Sequence, residues 1–184
     1  ILVIADSTIT NAGDALRELD KRNVISSDPF LLLQADTVVM AMDPAILQQA
    51  RQQHQPRHAT DSSAIVTLVL QPQNNNNLNN NSSLVVGLDP AHSNRVLVYE
   101  ATHRNNNNTI IPCSFLASHC PTLELYADTL QDTGLLLASP DVLARFSDEF
   151  DYRHVHREFI TNAVAEEEEG LQSKVYAWIL PMPN

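Results

Sequence analysis

Glycine is the residue type that this sequence most clearly lacks, with only 4 among 184 residues. Loops that hold nucleotide phosphates need several glycines, because backbone N–H groups must approach the phosphate closely. Gly13, Gly87, Gly134 and Gly170 form neither a Walker phosphate loop nor a dinucleotide-binding fingerprint. The G-x-S-x-G motif of serine hydrolases is also missing. The sequence therefore carries none of these standard catalytic signatures.

Basic residues and cysteines are scarce as well. Only 11 Lys and Arg oppose 22 Asp and Glu, and the formal net charge is −11. Nucleic-acid binding needs clustered cations, so we expect no direct contact with nucleic acid. Two cysteines are too few for a disulfide framework, and no run reaches the length of a membrane span or a secretory signal. These features predict a cytoplasmic protein without membrane contact.

Two groups of potential metal ligands occur in the sequence. Cys113, His119 and Cys120 lack the C-x-x-C pairing of zinc sites, so we expect ordinary packing there. His154 and His156 are two residues apart and would not share a helix face, so we expect solvated side chains rather than a metal site.

Apolar residues make up 43% of the sequence, enough for one α/β domain with a substantial core. Three runs, Ile1–Ile4, Phe30–Leu33 and Ile65–Leu70, have no polar face, which is typical of parallel strands buried on both sides. Between them, Asn11 can cap one helix and Asp43-Pro44 can start another. This alternation predicts an α/β fold with a mostly parallel central sheet and helices on both faces.

Asparagine-rich tracts, which cannot bury apolar area, are predicted to be surface loops. They span Gln73–Asn77, Asn79–Ser83 and Asn105–Asn108. Apolar runs flank the turn-forming residues Asp89–Asn94, which predicts a β-hairpin of Leu84–Leu88 with Arg95–Tyr99.

The last third of the chain again mixes strand and helix patterns. Ser139-Pro140 predicts a capped helix start, and the spacing of Phe159, Ile160 and Val164 predicts another helix. We predict strands at Leu123–Ala127, Leu135–Ala138 and Val175–Leu180. No repeat or second domain is visible. Because the chain begins without Met inside an apolar run, we expect residues 1–184 to be a partial domain of a longer protein.

One carboxylate, Asp36, follows the predicted Phe30–Leu33 strand. Ligands of open α/β sheets bind at the carboxyl ends of strands, so Asp36 is a candidate for holding a hydrated divalent cation on a phosphate. A lone Asp after a strand is also a common turn residue that caps its own loop. We favour the turn role and keep Asp36 as the single metal candidate.

Several segments occur in an order that is found in a known family. The most specific are Phe146-Ser-Asp-Glu-Phe-Asp-Tyr152 and the acidic end Glu167-Glu168-Glu169-Gly170. The others are Gly13–Leu19, Asp28–Asp36, Asn94–Leu97, Ser139-Pro140 and Glu158-Phe159. Over nearly its whole length, the chain resembles the nucleotidyltransferase-like domain of the epsilon subunit of eukaryotic translation initiation factor 2B.

The resemblance implies a Rossmann-like nucleotidyltransferase fold within a multisubunit guanine-nucleotide exchange factor for initiation factor 2. In that family the exchange activity belongs to a separate C-terminal helical domain with aromatic and acidic boxes. Glu166–Glu169 does not match those boxes, because no aromatic residue interleaves with the acids. The implied role is non-catalytic, without a cofactor, and serves assembly with other subunits of initiation factor 2B, especially gamma, and contact with initiation factor 2.

The enzyme alternative is a sugar-phosphate nucleotidyltransferase that uses Mg²⁺ and a nucleoside triphosphate. The resemblance places Asp36 at the first metal carboxylate of that superfamily. However, Ala35 replaces the usual preceding Gly, and Glu100-Ala101-Thr102 stands where a sugar-binding Glu-Lys-Pro is expected. These departures favour a relic over a working metal site.

Overall fold

The computed structural model describes residues 4–34, 44–73, 82–103, 122–165 and 173–181. A 3₁₀ turn, Pro90–His92, precedes the strand that begins at Arg95, and a π-helical turn, Val155–Ile160, leads into the short helix that begins at Thr161. The regular elements are α1 (Ala12–Arg22), β1 (Phe30–Leu33), α2 (Pro44–Thr60), β2 (Ala64–Pro72), β3 (Ser82–Asp89), β4 (Arg95–His103), β5 (Glu124–Ala127), β6 (Leu130–Ala138), α3 (Asp141–Asp148), α4 (Thr161–Ala165) and β7 (Lys174–Ile179).

The described strands form one mixed sheet in the order β1-β6-β2-β7-β4-β3-β5. Strands and helices alternate along much of the chain, which confirms the predicted α/β class. The prediction of a mostly parallel sheet is wrong for these strands, because only β2 and β7 pair in parallel. The β3–β4 hairpin and β6, which runs against both β1 and β2, supply antiparallel pairs.

β1 lies at one edge of the described sheet, so the prediction of a parallel strand buried on both sides is wrong for it. It pairs antiparallel with β6, from Phe30 opposite Ala138 to Leu33 opposite Leu135. Phe30 is buried, whereas Leu31 and Leu33 are 38% and 44% exposed. Consecutive apolar residues favour burial on both faces, but they do not specify strand direction or the number of neighbouring strands.

β2 is buried on both of its faces. Residues 64–70 are all buried. Leu68 joins a core cluster with residues of α1 and α3, whereas Thr67 contacts His54 of α2. Because successive strand residues point to opposite faces, helices cover both faces of the sheet at β2, as predicted. The strand predicted at Ile1–Ile4 lies outside the described residues except for Ile4, which is not in a strand.

Of the three predicted helix caps, Asp43 lies outside the described residues, and the other two differ in outcome. Asn11 caps α1 as predicted, and its Oδ1 accepts the Asp14 N–H at 2.9 Å. Ser139 does not cap α3, because no side-chain hydrogen bond caps the start of that helix. The buried Ser139 hydroxyl instead donates to Asp28 Oδ1 at 3.0 Å. Competition from the distant Asp28 carboxylate therefore overrides the local capping signal.

Gly13 brings α1 against the Phe-Asp-Tyr segment. A Cβ at Gly13 would overlap the Tyr152 carbonyl oxygen. The Gly13 N–H donates to the Arg153 carbonyl at 3.1 Å. Beside this contact, the rings of Phe146, Tyr152 and Phe159 pack with centroids 5.1 to 5.7 Å apart. Phe146 and Tyr152, the two ends of the segment that carries much of the family resemblance, are thus part of the core, whereas Phe150 between them is exposed.

The predicted hairpin is present as β3 and β4, which pair from Ser82 opposite His103 to Asp89 opposite Arg95. β3 already begins at Ser82, so the predicted loop Asn79–Ser83 is wrong at its last two residues. Most of the other asparagine-rich residues lie outside the described ranges.

Within the described ranges, none of the helices has the length and the apolar character that are needed to span a membrane.

Candidate functional site

The sheet edge where β1 and β2 end is the place where an α/β fold presents a ligand site. Both strands are antiparallel to β6, so they point the same way, and β7 runs with β2. β6 therefore begins at this edge. Near its start, Asp132 pairs with Leu70, close to the carboxyl end of β2.

Three elements converge on Asp132. Its Oδ2 accepts hydrogen bonds from the Tyr99 hydroxyl of β4 and from His156 Nδ1 of the π-helical turn, both at 2.7 Å. Its Oδ1 accepts the Gly134 backbone N–H at 2.8 Å. We call Tyr99, Asp132 and His156 the Asp132 cluster. Both carboxylate oxygens in this cluster already have protein donors.

Burial and hydrogen bonding act in opposite directions on the Asp132 carboxyl. Burial raises the pKa of Asp132, but the hydrogen bonds from His156, Tyr99 and the Gly134 N–H, together with the His156 charge, outweigh it and hold the pKa below its ordinary value. Burial, and then the Asp132 charge, raise the pKa of Tyr99 strongly. At neutral pH Asp132 is therefore an ionised acceptor and Tyr99 a donor.

His156 is buried, with 7% exposure, whereas His154 is exposed. The prediction of two solvated histidines is therefore wrong for His156. Because Asp132 is an acceptor, His156 Nδ1 carries the shared proton. Its Nε2 is buried and has no hydrogen-bond partner in the described part of the chain. A carboxylate-oriented imidazole with one unpaired nitrogen can act as a hydrogen-bond partner, a proton carrier or a metal ligand.

The structure leaves the sequence-predicted metal position untested. Asp36 and Ala35 lie outside the described residues, as do the Cys113, His119 and Cys120 group and the acidic run Glu166–Glu169. Among the described residues, no three His, Cys, Asp or Glu side chains come together as potential metal ligands. The roles assigned to Asp36 therefore stay predictions.

A second buried polar chain connects α2 to the sheet. His54, only 1% exposed, places Nδ1 at 2.9 Å from Thr67 Oγ1 and Nε2 at 3.1 Å from Ser139 Oγ. Ser139 donates its proton to Asp28, so it must accept from His54 Nε2–H, and Thr67 must donate to Nδ1. Burial is the main factor that lowers the pKa of His54, to about 4, so the ring is neutral at physiological pH.

This chain of Ser, His and Asp is not a catalytic triad. In a triad the carboxylate orients the imidazole, which in turn takes the serine proton. Here the Asp28 carboxylate contacts the serine itself, and the Ser139 hydroxyl belongs to a residue with 0% exposure. The arrangement positions α2 against β2 and β6.

Sequence reasoning missed both polar clusters. The signal that could have identified the first was Asp132, a charged residue three positions before the apolar run Leu135–Ala138 and, as the structure shows, inside the same strand. A charge within a buried strand needs partners. Its partners, Tyr99 and His156, are distant in sequence, so no local pattern identifies them.

Comparisons with known proteins now place these features in context. No family model matches the chain. It is 30% identical, over 153 residues, to the translation initiation factor eIF2B subunit epsilon of Schizosaccharomyces pombe, covering 82% of this chain and 21% of that protein. It is 28% identical, over 181 residues, to the subunit of the same name in Dictyostelium discoideum, covering 98% of this chain and 24% of that protein.

A solved structure supports the fold. The structure of CMP:2-keto-3-deoxy-manno-octonic acid synthetase complexed with CTP matches 97% of this chain and 63% of that one, with a TM-score of 0.54 and 12% identity. This confirms an α/β, Rossmann-like nucleotidyltransferase fold. The similarity to eIF2B epsilon confirms the predicted resemblance, and the chain spans about a fifth to a quarter of the length of those curated relatives.

Proposed function

We propose that this relative of the epsilon subunit of translation initiation factor 2B is a non-catalytic nucleotidyltransferase-like domain. Its role is to support assembly of the guanine-nucleotide exchange factor for initiation factor 2 in the cytoplasm. The partners in this proposal are the other subunits, especially gamma, and initiation factor 2 itself. Exchange of guanine nucleotide belongs to another part of the parent protein.

The observation that supports the non-catalytic role is that both carboxylate oxygens of Asp132 already accept hydrogen bonds from the protein. At the sheet edge where α/β folds hold ligands, this acid accepts hydrogen bonds from Tyr99, His156 and Gly134. A carboxylate that holds Mg²⁺ for phosphate chemistry must offer oxygen lone pairs to the ion. Asp132 uses its oxygens to join three elements of its own fold, which supports a scaffold role.

Co-purification tests the assembly role. The chain is expressed together with a tagged gamma subunit of initiation factor 2B from the same organism, and the tag is captured. We expect the chain to co-elute with gamma in stoichiometric amount and not with a tagged unrelated nucleotidyltransferase. Quantitative recovery of the chain in the flow-through, although folded by circular dichroism, would contradict the proposal.

The second candidate function, a Mg²⁺-dependent sugar-phosphate nucleotidyltransferase, rests on His156. Its buried Nε2, which has no partner among the residues that the structure describes, lies beside an ionised carboxylate and is a group that a ligand could use. Calorimetric titration with Mg²⁺ and nucleoside triphosphates, followed by an assay for pyrophosphate-dependent consumption of a sugar nucleotide, separates the two functions. We expect neither binding nor turnover.

A further inference from the structure

A concave region lies at the opposite end of the strands from the Asp132 cluster. Its volume is about 790 Å³, and its walls include α2, the Pro90–His92 turn and Tyr176 of β7. Thr60 and Asp61, which also line it, lie at the end of α2, a few residues before β2. The region is therefore next to the start of β2, whereas Asp132 is near its end. We call this region the Arg57 pocket.

Arg57 is held in the pocket by neutral groups. Its Nη2 donates to Gln53 Oε1 at 2.9 Å and to the Ser93 carbonyl at 3.1 Å. Its guanidinium carbon lies 4.8 Å from the centroid of the Tyr176 ring. Nη1 is shielded from solvent and has no hydrogen-bond partner among the described residues. These contacts orient the guanidinium without neutralising its charge.

The neighbouring charges already have partners. The Asp61 carboxylate bonds to Lys174 Nζ, and the hydrogen bonds from Lys174 and Ser63 hold the pKa of Asp61 at about 2. His92 bonds through Nδ1 to Asp89, a residue that is only 1% exposed. Within the described part of the chain, the pocket thus has one positive charge, on Arg57, that no carboxylate balances.

We propose that the Arg57 pocket binds a single carboxylate group of a ligand. A carboxylate can replace the exposed Gln53 side chain as an acceptor of Arg57 Nη2, because a charged acceptor forms the stronger hydrogen bond, and an Arg stacked on an aromatic ring loses little freedom when it binds. One carboxylate supplies the one negative charge that the pocket lacks. Phosphate carries almost two charges and needs a second cation, but Lys174 is already bound to Asp61. The inference does not depend on the proposed function.

Titration followed by NMR of the Arg57 side-chain Nε–Hε signal tests this proposal on the unaltered chain. The probes are the peptide acetyl-Ala-Glu-Ala-amide, its Glu-to-Gln counterpart, glutarate and inorganic phosphate. We expect saturable shifts with the Glu peptide, with a Kd on the order of 1 mM, as suits one ion pair. The Gln peptide should produce no saturable shift, because it has the same shape without the charge.

Two conservative variants test whether binding depends on Arg57 in the pocket or only on the positive charge of the helix. Arg57→Lys keeps the charge but loses the planar fork, and we expect at least about tenfold weaker binding of the Glu peptide. Arg51→Lys is the matched control, because Arg51 is exposed on the same helix and does not line the pocket. Its affinity should match that of the unaltered chain.

The probes also identify the source of the carboxylate. If the Glu peptide binds and glutarate does not, the result supports a carboxylate that is carried by a protein. If glutarate binds as well as the Glu peptide, the result supports a free small acid. Phosphate binding tighter than either carboxylate would overturn the proposal, as would indistinguishable titrations with the Glu and Gln peptides. The peptide comparison uses the unaltered chain, so it decides even where Arg57→Lys does not fold.

Discussion

The Tyr99 hydroxyl donates to the Asp132 carboxylate at 2.7 Å, although the two residues lie on strands that are not neighbours in the sheet. Tyr99→Phe removes this donor and leaves a half-buried carboxylate with fewer partners. We expect a loss of about 1–3 kcal/mol in the free energy of unfolding, measured by urea denaturation.

Tyr126→Phe is the control for that loss. The Tyr126 hydroxyl also donates to a carboxylate, that of Glu124, at 2.8 Å, but Glu124 is exposed. Water can replace this donor, so the change should cost less than about 0.5 kcal/mol. Equal losses in the two variants would show that Asp132 does not depend on its buried partner.

His54 predicts a pH dependence of stability. Its pKa is lowered from 6.5 to about 4 in the folded chain, chiefly by burial. The unfolded chain therefore takes up a proton first as the pH falls, so the contribution is fully present above about pH 6.5 and is lost progressively down to about pH 4. We expect a loss of roughly 2–3 kcal/mol over that interval from this residue.

Urea denaturation at several pH values checks this dependence. His54→Gln removes the titrating ring, so its stability should change less between pH 6.5 and pH 4 than that of the unaltered chain. His154→Gln, which removes an exposed histidine, should leave the slope unchanged. Parallel stability curves for the unaltered chain and His54→Gln would refute the assignment.

Gly13→Ala should be strongly destabilising although Ala favours helices. The added methyl group would overlap the Tyr152 carbonyl, which is backbone and cannot move as a side chain can. We expect a cost of about 1–3 kcal/mol, or more, in thermal or urea denaturation. Ala12→Gly, at an adjacent position in the same helix, is the comparison that measures helix propensity alone. A stability gain in Gly13→Ala would contradict the close contact described here.

The substitution Asp36→Ala tests whether Asp36 is a turn residue or a metal ligand. As a turn cap, Asp36→Ala should cost roughly 0.5–2 kcal/mol of stability and change no ligand affinity. As a metal ligand, the same substitution should abolish Mg²⁺-dependent nucleotide binding and leave metal-free stability equal or higher. Calorimetry with Mg²⁺ and nucleoside triphosphates distinguishes these outcomes, and we expect the first.

Local patterns predicted the elements of this fold better than their arrangement. Asn11, the β3–β4 hairpin and the buried stripe of Phe159, Ile160 and Val164 follow from capping, turn and periodicity signals that act over a few residues. Strand direction does not follow from such signals, because an apolar run such as Phe30–Leu33 suits either direction. The order of the strands depends on contacts between distant parts of the chain.

The polar clusters were beyond local sequence signals for the same reason. The local sequence predicts that Ser139 is a helix cap, but its hydroxyl donates to Asp28, 111 positions away. The local sequence predicts that His156 is solvated, but its Nδ1 bonds to Asp132 of β6. In each case a carboxylate from a remote part of the chain decides the role of a residue whose own neighbours indicate another one.

The edge position of β1 has a practical consequence for the isolated chain. Phe30–Leu33 contains no charge, proline or bulge, the devices that usually prevent edge strands from pairing with other molecules. No strand of the described part of the chain pairs with its outer side, so its backbone groups there and the partly exposed Leu31 and Leu33 can template the addition of an extended segment from another copy. Self-association of concentrated samples should therefore begin at this strand, and a lysine at Leu31 should suppress it.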